Sequence, residues 1–405
     1  MIAALLVILA ATLLGIPVAG KRLGLAFVIG LAACTLILMI PIPWSRTWLA
    51  IAYLVLLAVG WTMRRPRFER PRKPDAIVLV LLVVGAIELT GYILLATVAP
   101  LWEFDFLSDW GLKGRVFALA HGIDWTFLQH ATYRATHADY PPMIPLAFDL
   151  VAIVNGAWDD RAIGLLYPAF AVAGALIAYG AAREEVGERW AALIAVILLP
   201  LCATPWIGLA DGPFAIAVLG AIVLIRKDEV ALGAVLAGCA ALMKNEGFAL
   251  IVALAIAMAF AKKKPWRLWP AVALALPWIV LKRLHGIEGD IGQGSLLTRV
   301  FERLQAPGEI VRLLGTYAPH RWLLWVGLAL ALVLVGKRER FAVTTLALQL
   351  AAYIAVYFAT PHDVTWHIRW SWERLVTHVW PALAFVLLVA LTKDRNVGPA
   401  LSRPQ

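Results

Sequence analysis

Charge is scarce in this chain. Asp, Glu, Lys and Arg supply 15% of its 405 residues, against about a quarter in soluble globular domains. With 62% of the residues hydrophobic and a mean hydropathy of +0.81, an ordinary water-soluble domain is excluded. Long polar stretches are missing too, so no segment reads as a separate soluble unit. Cysteine is nearly absent. Cys34, Cys202 and Cys239 all fall inside apolar runs, as small buried hydrophobes, which excludes a disulfide framework or a cysteine metal set. The first residues, MIAALLVILAAT, lack the basic opening of a signal peptide, and Lys21 and Arg22 follow the apolar run; the run therefore reads as a span.

What the chain does have is a succession of apolar runs, most of them about 17 to 25 residues long, enough to cross a hydrocarbon core of about 30 Å. Basic clusters punctuate them: Lys21 and Arg22, Arg64 to Lys73, Arg183 and Arg189, Arg226 and Lys227, Lys262 to Arg267, Lys337 to Arg340, and the tail from Lys393. Short loops rich in Lys and Arg stay cytoplasmic. Placing all seven clusters inside requires about thirteen crossings, near 2–20, 23–41, 47–63, 76–98, 161–182, 191–208, 212–225, 230–243, 248–261, 268–284, 321–336, 341–359 and 376–392. The N-terminus is then outside and the C-terminus cytoplasmic. The fold expected is an all-α polytopic membrane protein, and the net charge of +10 is a topology signal rather than a nucleic-acid patch.

That topology leaves the long connections 101–160, 285–320 and 360–375 on the outer face, with short ones around Asp211 and around Lys244 and Glu246. The stretch YPPMIPLAFDLVAIVNGAW, from Tyr140 to Trp158, is apolar enough to suggest a span. Counting it as one would reverse every later cluster, so a helix lying in the membrane interface is expected, with Asp149 pointing at water. Ionisable residues near span ends are expensive and mark functional candidates. The outer face collects Asp105 and Asp109 with Lys113, then Asp211, then Lys244 and Glu246, then Arg299, Arg303 and Arg312, and finally His367 to Arg374. A carboxylate in a partly apolar site can take a proton from an incoming hydroxyl. Fixed Arg and Lys can hold a phosphate and stabilise it as it leaves.

The series FDFLSDWGLKGRVFA, ADYPPMIPL, LADGPFA, MKNEGF and WHIRWSWERLVTHVWP resembles the integral-membrane glycosyltransferases of the GT-C fold, in the bacterial branch related to aminoarabinose and protein mannosyl transferases. The resemblance covers roughly 77–391. It divides the chain into an extra N-terminal transmembrane module of about three spans, 1–74, and a GT-C-like catalytic unit, 75–405. It implies a sugar carried on a polyprenyl phosphate and an inverting transfer, on the periplasmic or exterior side of a prokaryotic plasma membrane, to an acceptor that is a glycan, a lipid or a protein. By the same resemblance Asp105 matches the catalytic base, with Asp109 the alternative, and Asp211 matches the acidic residue of the second outer loop. The resemblance also sets Lys113 and Arg374 on the donor phosphate; Lys244 and His367, gathered on the same outer face, are expected to join them. Glu246, Tyr140, Trp110 and Trp370 are candidate substrate contacts. No Asp-x-Asp pair is present, so a divalent metal is not indicated, and no cofactor is called for.

Blander roles stand beside these. Asp211 can cap the span that follows it, before Gly212 and Pro213. Lys244 and Glu246 can form a polar turn. Arg369 and Arg374 can anchor the interface beside Trp366, Trp370 and Trp372, and most of the 18 tryptophans belong to an aromatic belt. GDIGQGS, from Gly289 to Ser295, lacks the preceding strand a nucleotide loop needs. His362, His367 and His378 are too loosely spaced for a metal pair. Two other classes of function remain: a transporter or flippase, which should place charge near the bilayer midplane, and a non-catalytic protein that binds a lipid-linked glycan.

Overall fold

The structure is a computed structural model. It describes residues 1–64, 73–130, 137–205, 207–289, 295–317, a few positions between 326 and 333, and 339–396. The expected span 321–336 falls mostly outside the described residues. So do the basic run 65–72, Lys337 and Arg338, most of the Gly289 to Ser295 loop, and the tail beyond 396.

The described residues form helices and connections, with no strand. In chain order the helices are α1 (Ile2–Ala19), α2 (Leu23–Leu38), α3 (Arg46–Met63), α4 (Ala76–Val98), α5 (Gly111–Ala120), α6 (Met143–Asn155), α7 (Leu166–Val186), α8 (Glu188–Cys202), α9 (Asp211–Arg226), α10 (Val230–Met243), α11 (Glu246–Phe260) and α12 (Trp269–Leu284). Then come α13 (Leu296–Leu304), α14 (Pro307–Tyr317), α15 (Arg340–Ala359), α16 (Val364–Thr377) and α17 (Trp380–Asn396). Six segments among the described residues are long and apolar enough to cross a membrane: Ile2–Ala19, Arg46–Met63, Ala76–Val98, Asp160–Val186, Arg340–Ala359 and Val364–Lys393. The starts follow local chemistry. Ser45, Asp75, Ser295 and Asp363 each accept a backbone N–H near the beginning of the helix that follows, satisfying donors that a helix start leaves free.

The core is organised around α9, every residue of which is buried. Helices α7, α10, α15 and α17 pack around it. At about 1.5 Å per residue α9 is roughly 24 Å long, and it is apolar between two polar ends, Asp211 and Arg226. Helices α3 and α4 are peripheral: α3 buries no residue and α4 only Val78, Tyr92 and Ala96. Helices α1 and α2 pack tightly on each other and against α6 and α7. Their closeness depends on Gly15 and Gly30, because a Cβ at Gly15 would overlap the carbonyl oxygen of Ala26 and one at Gly30 that of Ala11. Small residues that let backbones approach are the usual device of helix pairs in lipid, where burying apolar surface contributes little.

Ion pairs join the expected cytoplasmic clusters to one another. Arg22 meets Glu229 and Lys227 meets Glu184, Lys263 meets Asp228 at 2.5 Å, and Arg189 meets Asp75 at 2.6 Å. Arg226, at the end of α9, is wholly buried between Glu185 and Glu339, and Lys393 reaches Glu185 at 3.7 Å. Acidic residues threaded among the basic clusters therefore gather the ends of α7, α9, α11, α15 and α17 at one pole of the bundle.

Two expectations are corrected. The helix in the stretch 140–158 does not lie on the surface of the bundle. Its helix α6 is enclosed, with every residue from Met143 to Ala152 buried, because α1, α2 and α5 close over it. Asp149 on that helix does not point at water. It is 0% exposed and neither carboxylate oxygen has a hydrogen-bond partner.

Candidate functional site

At the pole opposite the Arg226 cluster, four separate parts of the chain deliver charged side chains to one place. Asp105 stands at the start of a π-helical turn, Phe106–Trp110, after the irregular stretch 99–103. Asp211 is the first residue of α9. Lys244 ends α10 and Glu246 begins α11, so the tight turn between those helices presents both. Arg374 lies in the last turn of α16.

Arg374 is the hub. One terminal nitrogen of its guanidinium donates to Asp105 and the other to Asp211, the latter at 2.9 Å. Asp211 also accepts from Lys244 Nζ at 3.1 Å and contacts His378 Nε2 at 2.8 Å; Lys244 in turn lies 3.3 Å from Glu246. The His378 ring bonds Tyr353 through Nδ1 at 3.0 Å. A proton on Nε2 satisfies both contacts, with Asp211 accepting from the ring and the ring accepting the Tyr353 hydroxyl. Asp211 does not cap its own helix; it uses its oxygens on three side chains, Arg374 and His378 from the end of α16 and Lys244 from the end of α10. Burial is graded across the cluster. The side chains of Asp211 and His378 are 0% exposed, Lys244 5%, Arg374 20% and Asp105 31%, so Asp105 and Arg374 form its open rim.

A second cluster lies alongside. Asp109 and Lys113, one turn apart, pair at 2.6 Å with almost no exposure, and Lys113 also donates to the carbonyl of His137 at 2.7 Å. The ammonium sits 5.4 Å from the Trp110 ring and 5.9 Å from that of Tyr140, within cation–π range. The two rings pack on each other with centroids 5.6 Å apart. Burial holds the Asp109 carboxyl above the usual carboxylate range, with Lys113 working against it. Burial also pushes the Tyr140 phenol well above its ordinary value of 10.0. The neighbouring Asp139 accepts from Asn245 at 2.7 Å, which ties this loop to the α10–α11 turn.

The remaining candidates are placed differently. His367 bonds Thr360 at 2.8 Å and rests edge-on against Tyr357. Trp370 is exposed, one turn before Arg374 on α16. Arg303 donates to the carbonyls of Tyr357, Phe358, Thr360 and His362, and Arg299 to that of Ala359. These two arginines satisfy the free carbonyls at the end of α15 and hold the 360–375 connection in place. His378 and Tyr353 escape sequence reasoning. His378 lies four residues after Arg374, a helical spacing, but Tyr353 carries no signal within a run of apolar and aromatic residues. Arg374 Nε, Glu246 Oε2, Trp110 Nε1 and Gln349 Oε1 are buried without a hydrogen-bond partner from the protein. Among the described residues, no group of three or more His, Cys, Asp or Glu side chains is placed to hold a metal ion. Comparison of the chain with protein-family models, curated proteins and solved structures finds no match.

Proposed function

We propose that the protein is a membrane glycosyltransferase of the GT-C type, which moves a sugar from a polyprenyl-phosphate donor to an acceptor hydroxyl. The observation that carries this reading is the convergence of Asp105, Arg374, Asp211 and Lys244 at one pole, with Asp105 and Arg374 at its open rim. In this reading the chain crosses a prokaryotic plasma membrane about thirteen times. The Arg226 pole faces the cytoplasm and the Arg374 pole the exterior.

The chemistry runs as an inverting displacement. The acceptor oxygen attacks the anomeric carbon, the bond from that carbon to the phosphate oxygen breaks, and its electron pair leaves with the phosphate. Asp105 takes the acceptor's proton as general base. Arg374, supported by Lys244, stabilises the charge growing on the departing phosphate. Asp211 holds both cations in register. Partial exposure favours Asp105 as the base over Asp109, which is enclosed and paired with Lys113. Trp110 Nε1 and Glu246 Oε2, buried without a protein partner, suit the hydroxyls of a sugar, and Tyr140 packs beside Trp110. The acceptor is a glycan, a lipid or a protein.

A transporter would place ionisable groups along an interior path near mid-span. The carboxyl of Glu88, midway along α4, lies instead on the outside of the bundle. The test is chemical. Wild type and Asp105→Asn are expressed in a bacterial host and the polyprenyl-phosphate lipids are compared by mass spectrometry. A glycosylated polyprenyl phosphate that accumulates only with the variant supports the enzyme. Identical lipids in the two strains, with the variant abundant and folded, count against it.

A further inference from the structure

We infer that Arg374 is an anion-exchange site: a phosphate-type oxyanion entering the pocket replaces the Asp105 carboxylate on the guanidinium, and that replacement releases Asp105 for proton transfer. This rests on the glycosyltransferase reading and specifies how its donor would engage the site.

Three observations support it. The first is a count of charge. Asp105, Asp211 and Glu246 bring three carboxylates to two cations, Arg374 and Lys244. The cluster has one anion more than its two cations balance. A phosphate seated on Arg374 without any exchange would have to share that one guanidinium with two carboxylates.

The second is that the two carboxylates on Arg374 are held very differently. Asp211 has Arg374, Lys244 and His378 as partners and no exposure. Losing any of these would leave a buried charge short of compensation, which is strongly unfavourable. Asp105 has Arg374 as its side-chain partner and is partly open to solvent, so water can take over when the pair breaks. The exchange must therefore happen on the Asp105 side.

The third is the local backbone. Asp105 sits at a junction, where the irregular stretch 99–103 passes through the two helical residues Phe104 and Asp105 into a π-helical turn, a conformation that occurs as single turns often found at functional sites. Its partly exposed side chain stands at the edge of that turn, where it can swing without disturbing a long packed helix. The guanidinium it leaves presents a fork that matches two phosphate oxygens, with Arg374 Nε still unpartnered beside it.

The consequence is an order of events. While the site is empty, one Asp105 oxygen is engaged by Arg374. Once the oxyanion is seated, the carboxylate stands free next to the group it must help to react. By linkage, removing Asp105 as a competitor must strengthen anion binding.

The experiment measures binding alone. Full-length protein in phosphatidylcholine nanodiscs is titrated with decaprenyl phosphate and, separately, with inorganic phosphate, using native mass spectrometry for the lipid and calorimetry for the ion. Asp105→Asn and Asp105→Ser are expected to bind about tenfold more tightly than wild type, and Arg374→Gln to lose binding. Tightening for decaprenyl phosphate alone supports exchange on a lipid carrier; tightening for both probes supports exchange on a free oxyanion. If both Asp105 variants bind no more tightly than wild type while Arg374→Gln still abolishes binding, the exchange is overturned and the phosphate site stands. If wild type and every variant bind neither probe, both the exchange and the lipid-phosphate reading fall.

Discussion

Replacing Arg226 with methionine should be among the most damaging single changes at the pole remote from the site. Its guanidinium has 0% side-chain exposure, and its two partners, Glu185 and Glu339, have 5% and 9%. Glu185 receives it through two bonds, at 2.5 and 2.9 Å. Methionine leaves two enclosed carboxylates without their cation, and removing one member of a buried ion pair costs about 3–5 kcal/mol. Lys393, 3.7 Å from Glu185, compensates only in part because it is 45% exposed and does not reach Glu339. The comparison that isolates the effect is Lys227→Met on the next residue. Its partner Glu184 is 68% exposed, and such a pair contributes about 0–1 kcal/mol. Adding Glu185→Gln and Glu339→Gln to Arg226→Met should recover most of the loss, since neutral amides are far cheaper to bury than unpaired charges. The assay is reversible unfolding in mixed micelles, followed by tryptophan fluorescence. A loss for Arg226→Met no larger than that for Lys227→Met would refute the reasoning. So would a triple variant less stable than the single one.

Three further outcomes are expected. Gly30→Ala forces apart α1 and α2, where the new methyl would meet the Ala11 carbonyl; overpacking of this kind costs about 1–3 kcal/mol, read in the same unfolding assay with Gly20→Ala, which has open space but a left-handed backbone, as a comparison. The Asp109 carboxyl is raised above its ordinary 3.8 by burial, so the folded state holds its proton more tightly than the unfolded chain does. Its contribution is then fully present below pH 3.8 and declines as pH rises through the higher folded value. Wild type should accordingly lose stability relative to Asp109→Asn on going upward from that pH, and parallel pH profiles would contradict the assignment. Arg303→Ala removes donors to four carbonyls, those of Tyr357 and Phe358 at the end of α15 and of Thr360 and His362 just after it. At about 1.5–3 kcal/mol for hydrogen bonds to a charged group, the 360–363 turn should become the first site of limited proteolysis, and unchanged cleavage kinetics would rule out this capping role.

Much of the fold was legible from hydropathy and the distribution of Lys and Arg. The clusters at 21–22, 183–189, 226–227, 262–267 and 393 were assigned to one side, and ion pairs join them there. The acids between them, Glu184, Glu185, Asp228, Glu229 and Glu339, escaped notice because a charge-counting rule registers only the basic residues. The enclosed position of α6 was not legible either. A 13-residue helix that is apolar but for Asp149 and Asn155 looks the same whether it meets lipid or protein, and which it meets depends on α1 and α2, more than a hundred residues away. Asp149 was misplaced for the same reason. At the candidate site, Asp105, Asp211, Lys244 and Arg374 were identifiable as ionisable residues at span ends, whereas His378 and Tyr353 were not.

By itself the sequence determined that this chain is helical and apolar, and which connections lie together at each end. Both follow from local physics: backbone polar groups in lipid must be satisfied within the helix, and basic loops resist translocation. Only the tertiary structure decided which charges meet. It gave Arg303 to the carbonyls ending α15, and Arg374 to Asp105 and Asp211 together. Partnership between charges depends on distances of about 3 Å, and residues such as Asp105 and Arg374, 269 positions apart, come within that range only once the helices between them have packed.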